Sequence, residues 1–274
     1  MWRAIEFEVP VDTSTFSAVQ LHPGVAASLT WSALARWLRA HLVSMPTLIA
    51  KESTGLVVTG FHLEYHDAVS FFDVDAFTVR AGLRIMRRGE RGQLDLRFFT
   101  DRHDIATARL IVVPVSIEDP ISLAATPAGL SEDLLARLEP GYVESTSPER
   151  IVPVRLAAVE TSGHLIAEAT MPFTIDRHRT EVAEQWSFAA VPPLAAAARE
   201  DLALNDHSSA RTSLLRCLSS PLSGFDVEFG RPFFSFERGN VVTRAYTVGD
   251  RLGLVHRFTS EDGTTLHATA VEVL

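Results

Sequence analysis

One cysteine, Cys217, is the whole thiol content of the 274-residue chain. That excludes an internal disulfide framework and any cysteine-built metal cluster, and fits a reducing compartment. Cys217 itself reads as a small buried hydrophobe. Positive charge is also scarce: 25 Lys and Arg face 34 Asp and Glu, for a net charge of -9. The basic stripe that tracks phosphates or an anionic bilayer is therefore missing, and neither nucleic acid nor a membrane is expected as a partner. No apolar run reaches the roughly 18 residues of a membrane span. The first residues, Met1-Trp2-Arg3-Ala4-Ile5-Glu6, have no apolar segment of signal-peptide type. The expected location is cytoplasmic. Gly-x-Ser-x-Gly elbows, phosphate loops and dinucleotide fingerprints are absent too, which removes the α/β serine hydrolases and the common nucleotide-binding classes.

What the chain does have is a repeat. Val9-Pro10-Val11-Asp12 is echoed by Phe173-Thr174-Ile175-Asp176, and Phe61-His62-Leu63-Glu64-Tyr65 by Phe225-Asp226-Val227-Glu228-Phe229; both pairs are separated by 164 residues. An offset held over so long a stretch is harder to reach by chance than either match alone, and it indicates duplication. Leu96-Arg97-Phe98-Phe99-Thr100 and Val255-His256-Arg257-Phe258-Thr259 agree after small deletions.

Each copy shows one order of elements. A strand, 5–12 or 167–176, precedes an alanine-rich apolar helix, 24–42 or 189–204. Pro46 stops the first helix, and Pro192-Pro193 fit only the first turn of the second. Strands follow at 55–66, 76–87, 93–100 and 106–117, then at 225–236, 241–248, 252–260 and 265–274, with turns at 88–92 and 260–263. Helices that are apolar almost all round must be buried, so each is expected to be wrapped by the sheet that follows it. The expected fold class is α+β: a tandem (double) hotdog, two antiparallel sheets each wrapped around a long central helix and joined into one continuous sheet. The expected units are residues 1–118 and 156–274, with a proline-rich linker at 119–155 carrying one helix at 131–138.

The stretch Leu21-His22-Pro23-Gly24-Val25-Ala26-Ala27-Ser28-Leu29-Thr30-Trp31 resembles the helix start of double-hotdog acyltransferase/decarboxylases of polyketide biosynthesis, typified by the leinamycin-pathway enzyme. Phe61 to Tyr65 with Val69-Ser70-Phe71-Phe72-Asp73 is similar to the opening of the sheet in many acyl-thioesterase hotdogs. Pro221 to Asp226 with Phe233-Phe234-Ser235-Phe236 resembles a further family segment, although Asp226 stands where the family usually has asparagine. The resemblance implies an enzyme acting on an acyl thioester of acyl carrier protein or coenzyme A, by transfer, decarboxylation or rearrangement. It implies no cofactor beyond the coenzyme A or phosphopantetheine of the substrate, and no metal. Hydrolysis, dehydration and non-catalytic carrier binding remain the alternatives, and both monomer and homodimer stay open.

A hotdog receives its thioester carbonyl at the amino end of the central helix, where unpaired N–H groups and the helix dipole meet a developing oxyanion. Gly24 and Val25 are the candidate donors. His22 beside them is a candidate general base, or a histidine that satisfies loop carbonyls. The equivalent place in the second copy is Gln185-Trp186, preceded by Glu184, which is a candidate base or nucleophile, or a solvated loop acid. Tyr65 reads as a core aromatic; the resemblance adds the role of acyl-carrying tyrosine. No acid lies in the first helix between Ala26 and Leu38, where single-hotdog thioesterases often carry one.

Overall fold

The computed structural model describes residues 3–119, 123–138, 143–144 and 150–274, of which 143–144 in backbone only. Its first half runs β1 (Ala4–Pro10), α1 (Pro23–His41), α2 (Met45–Glu52), β2 (Thr54–Tyr65), β3 (Ala76–Met86), β4 (Arg91–Phe99) and β5 (Asp104–Asp119). After β6 (Ala124–Pro127), α3 (Glu132–Arg137) and β7 (Val143–Glu144) come α4 (Ile151–Ser162) and β8 (His164–Thr174). The chain ends with α5 (Val191–Asn205), α6 (Arg211–Cys217), β9 (Gly224–Phe229), β10 (Arg238–Val248), β11 (Arg251–Ser260) and β12 (Leu266–Val273).

Ten strands form one antiparallel path, β1-β3-β4-β5-β2-β9-β12-β11-β10-β8, with β6 on β5 and β7 on β3. The two half-sheets meet at β2 and β9, where His62 pairs with Asp226. Those two residues are 164 positions apart, the offset of the sequence repeat. The duplicated strands thus lie side by side about a local two-fold axis that passes between equivalent residues. Such an isologous contact is how a C2 dimer of single modules pairs, here within one chain.

α1 carries a buried stripe of Ala26, Ala27, Thr30, Ala33, Leu34, Trp37 and Leu38, leaves Ser28, Arg36 and Arg39 exposed, and takes Pro23 in its first turn. Its Leu34, Trp37 and Leu38 are buried with Phe61, Leu63 and Phe98 of the sheet; burial of each such side chain contributes about 1.5–3 kcal/mol. α5 opens with Pro192 and Pro193, as their ring constraint demands, and packs Leu202 and Ala203 against Ala245 and Leu254.

Two differences from the sequence expectation have physical causes. The strand expected at 225–236 stops at Phe229, because Pro232 cannot donate to a ladder. The expected linker is not free of structure: α3 fills the anticipated helix, but 151–155 belong to α4, whose β-branched residues and Pro153 read as non-helical. Pro120, Pro140 and Pro148 of that linker lie outside the described residues, as do Met1 and Trp2. α4 covers the face of the sheet opposite α5, with Val152 and Val159 on Tyr246, Val255 and Val271. It also brings Arg155 Nη1 to 2.6 Å from Asp226 Oδ2, while His62 Nδ1 lies 3.1 Å from Oδ1. Asp226 is buried, so a charged partner on α4 accounts for an acid at this position.

Candidate active site

The two helices approach each other at their amino ends. A Cβ on Gly24 would lie 2.9 Å from Cγ and 3.2 Å from Cδ of Pro193, so the glycine is required by helix packing. Gly24→Ala is expected to lower stability by about 1–3 kcal/mol through overpacking. Pro193→Ala in the same chain removes the collision, and urea unfolding of the single and double variants should show the loss largely restored.

Beside this crossing opens a cavity of about 770 Å3, lined by Gln20, His22, Gly24, Val25, Arg199, Leu222 and Glu272 among others. At the start of α1 no side chain caps the helix. The His22 N–H bonds the Thr15 carbonyl and Ala26 N–H bonds the His22 carbonyl, which leaves Gly24 and Val25 as first-turn donors without an intrahelical acceptor. His22 sits exposed at the rim, and desolvation holds its imidazole below the ordinary histidine range. It is therefore largely neutral, and able to take a proton, at neutral pH.

The floor is ionic. Arg199 Nη1 donates to Glu272 Oε2 at 2.7 Å, His256 Nε2 lies 3.7 Å from the same oxygen, and His256 Nδ1 is 2.9 Å from the Thr243 hydroxyl. Burial alone would raise the Glu272 carboxyl, but His256 and Arg199 outweigh it and hold it below the usual carboxylate range. Tyr65 stands close by: its hydroxyl donates to the Leu21 carbonyl at 2.6 Å. Burial pushes the phenol far above its ordinary value, so it stays a hydrogen-bond donor and is a poor nucleophile at neutral pH. The nearby Cys217 thiol is pushed up to about 11 by burial and bonds the Leu214 carbonyl, consistent with a packing role.

The equivalent positions in the first copy are apolar. Register shifts the sequence match of these strands by one residue and places Leu96 opposite Ala81 where His256 faces Thr243. Likewise Leu110 pairs with Phe61 where Glu272 pairs with Phe225. Leu96, Leu110 and Ala81 are all buried. A polar network in a core that packs well without one costs desolvation, which points to use.

A second cavity, about 790 Å3, is the counterpart of the first across the two-fold axis, lined by Trp31, Val58, Glu181, Gln185, Trp186 and Arg231 among others. Here the helix start has no donor to offer: Val191 N–H bonds the Phe188 carbonyl, and residues 192 and 193 are prolines. The candidate residues thus divide between two places. His22, Gly24 and Val25 share the first cavity, with Tyr65 behind it. Gln185 and Trp186 line the second. Glu184 lines neither; its exposed carboxylate lies 3.6 Å from the Arg177 guanidinium, at a turn with φ of 55°, and Glu181 is the acid that lines the groove. Arg199, Glu272 and His256 were not singled out from the sequence. For His256 and Glu272 the signal available was their substitution between the copies, polar in one and leucine in the other.

No protein-family model matches the sequence, and no curated protein sequence matches it. Solved structures do match. The fold is the double hotdog. A Lactobacillus plantarum structure assigned as an oleoyl thioesterase superposes with a TM-score of 0.72 at 11% identity, over 99% of this chain and 96% of that one. The 12:0-ACP thioesterase from Umbellularia californica gives 0.65 at 8% identity, over 98% and 93%. An acyl-ACP thioesterase from Bacteroides thetaiotaomicron gives 0.62 at 11% identity, over 98% and 97%. At these identities the likeness concerns the fold alone.

Proposed function

We propose that this double hotdog is an acyl-thioester enzyme with one catalytic cavity, and that its reaction is hydrolysis of an acyl group carried by acyl carrier protein or coenzyme A. The observation that carries this reading is the convergence, in one cavity, of the free Gly24 and Val25 N–H groups, a neutral imidazole at His22 and an ionised carboxylate at Glu272. The two N–H groups receive the thioester oxygen as it gains charge. His22 takes a proton from the attacking water and returns it to the departing thiolate sulfur. Glu272, fixed by Arg199, contributes negative charge and a hydrogen-bond acceptor to the polar end of the cavity. Thioesterases of the same fold, covering nearly the whole chain, support hydrolysis over the transfer or decarboxylation that the sequence resemblance implied.

A second reading keeps a specific observation of its own. Arg199 reaches the cavity and its buried Nε has no hydrogen-bond partner, so a substrate bearing a second carboxylate, as a malonyl-type unit does, finds a cation there. One experiment separates the two. The protein is incubated with acyl-CoA and acyl-carrier-protein panels from C2 to C16, malonyl and methylmalonyl thioesters included, and free thiol, free acid and carbon dioxide are followed. Free thiol with equal free acid supports hydrolysis. Carbon dioxide release from the malonyl types supports the second reading, and neither product overturns both.

A further inference from the structure

The second cavity has kept its size while losing the means of catalysis. Its helix start lacks N–H donors, Trp186 stands where the first copy has His22, and Leu110 where the second copy has Glu272. A groove without a use is free to fill in with larger side chains. Yet this one remains as large as the first, within the about 300–1,000 Å3 typical of small-molecule sites. Its long walls are apolar, from Trp31, Ile49, Leu56, Val58 and Phe188.

One wall is not apolar. Arg231 lines the cavity, is exposed, and makes no side-chain hydrogen bond or ion pair among the described residues. In the same wall Trp186 is 9% exposed, and its indole N–H, buried, has no acceptor. Trp186 and Phe233 are joined there by a backbone hydrogen bond, two residues from Arg231. A free guanidinium at the edge of an apolar groove matches an anionic oxygen group on a single alkyl chain.

We propose that this cavity is a second, non-catalytic binding site for a long-chain carboxylate, its alkyl chain along the apolar walls and its carboxylate at Arg231. The site goes beyond the thioester reading and needs no turnover to be tested. The full chain is titrated with 12-bromododecanoate while tryptophan emission is followed, since bromine quenches indoles in contact and both Trp31 and Trp186 line the groove. Saturable quenching is expected at micromolar concentrations. Arg231→Ala should weaken it at least 10-fold, 12-bromododecanol should bind at least 10-fold more weakly than the acid, and Val58→Phe, which fills the groove, should abolish it with an unchanged melting temperature. His22→Ala should bind as the unaltered protein does. Unsaturable quenching, or quenching indifferent to Arg231→Ala, overturns the proposal. So does quenching lost in His22→Ala, which puts the chain in the first cavity. An inactive protein that still binds leaves this site standing and removes the hydrolase reading, so the two fail separately.

Discussion

Glu272→Gln is expected to lower acyl-thioester turnover by about 100-fold and stability by about 3 kcal/mol. The carboxylate is buried, with Arg199 at 2.7 Å and His256 at 3.7 Å, so removing its charge leaves the largely desolvated Arg199 guanidinium without its counter-ion. The stability loss should depend on pH with a definite sign. The native carboxyl titrates below its ordinary value, so the pair contributes its full stability above the unfolded carboxylate range. That contribution disappears as acid carries the pH down through the native value. Urea midpoints of the two proteins should therefore differ most near neutrality and converge in acid. A companion chain isolates the functional part: Thr243→Ala, His256→Leu and Glu272→Leu together install the first copy's residues, and Arg199→Met removes the remaining charge. Replacing a whole buried ionic network with apolar groups is often neutral for stability, so this chain should fold and be inactive. If it hydrolyses thioesters at the original rate, the network is structural and the catalytic assignment fails.

His22→Ala is expected to reduce turnover by about 100-fold or more, the usual scale for a lost acid-base group, with little change in melting temperature because the side chain is exposed at the rim. The pH profile of the unaltered protein supplies an independent sign. Desolvation depresses the imidazole, so the neutral, proton-accepting form persists below the ordinary histidine range, and activity should fall only on the acid side of about 6.5. In His22→Ala that acid limb should vanish from the residual rate. Intact turnover with a lowered melting temperature would show a loop histidine, and the site would have to be sought elsewhere in the cavity.

The fold was legible to an unusual degree because the chain states its pattern twice. Two matches at one offset, two proline-marked apolar helices and alternating strands between turns leave few arrangements that bury both helices. The structure adds that residues 62 and 226, related by that offset, face each other across β2 and β9. α4 escaped because its composition reads as strand or linker; only the apolar patch of Tyr246, Val255 and Val271 makes it a helix worth forming.

The lining of the candidate cavity was half legible. His22, Gly24 and Val25 could be named from sequence because a histidine followed by proline and glycine at the start of a buried helix is a local pattern, and local patterns survive folding. Which second-copy residues complete that cavity is a different kind of fact. Glu184 and Glu272 are both carboxylates, and nothing in their neighbourhoods along the chain separates a solvated turn acid from a buried one. Glu272 reaches the cavity only because β12 lies beside β9 and α5 delivers Arg199 to it. The amino-acid sequence by itself determined the duplication, the helices and their polarity, since these follow from spacing and propensity. Tertiary structure alone decided that one of two equivalent cavities keeps both helix-end donors and an ionised acid. That outcome depends on which side chains from distant segments are desolvated together.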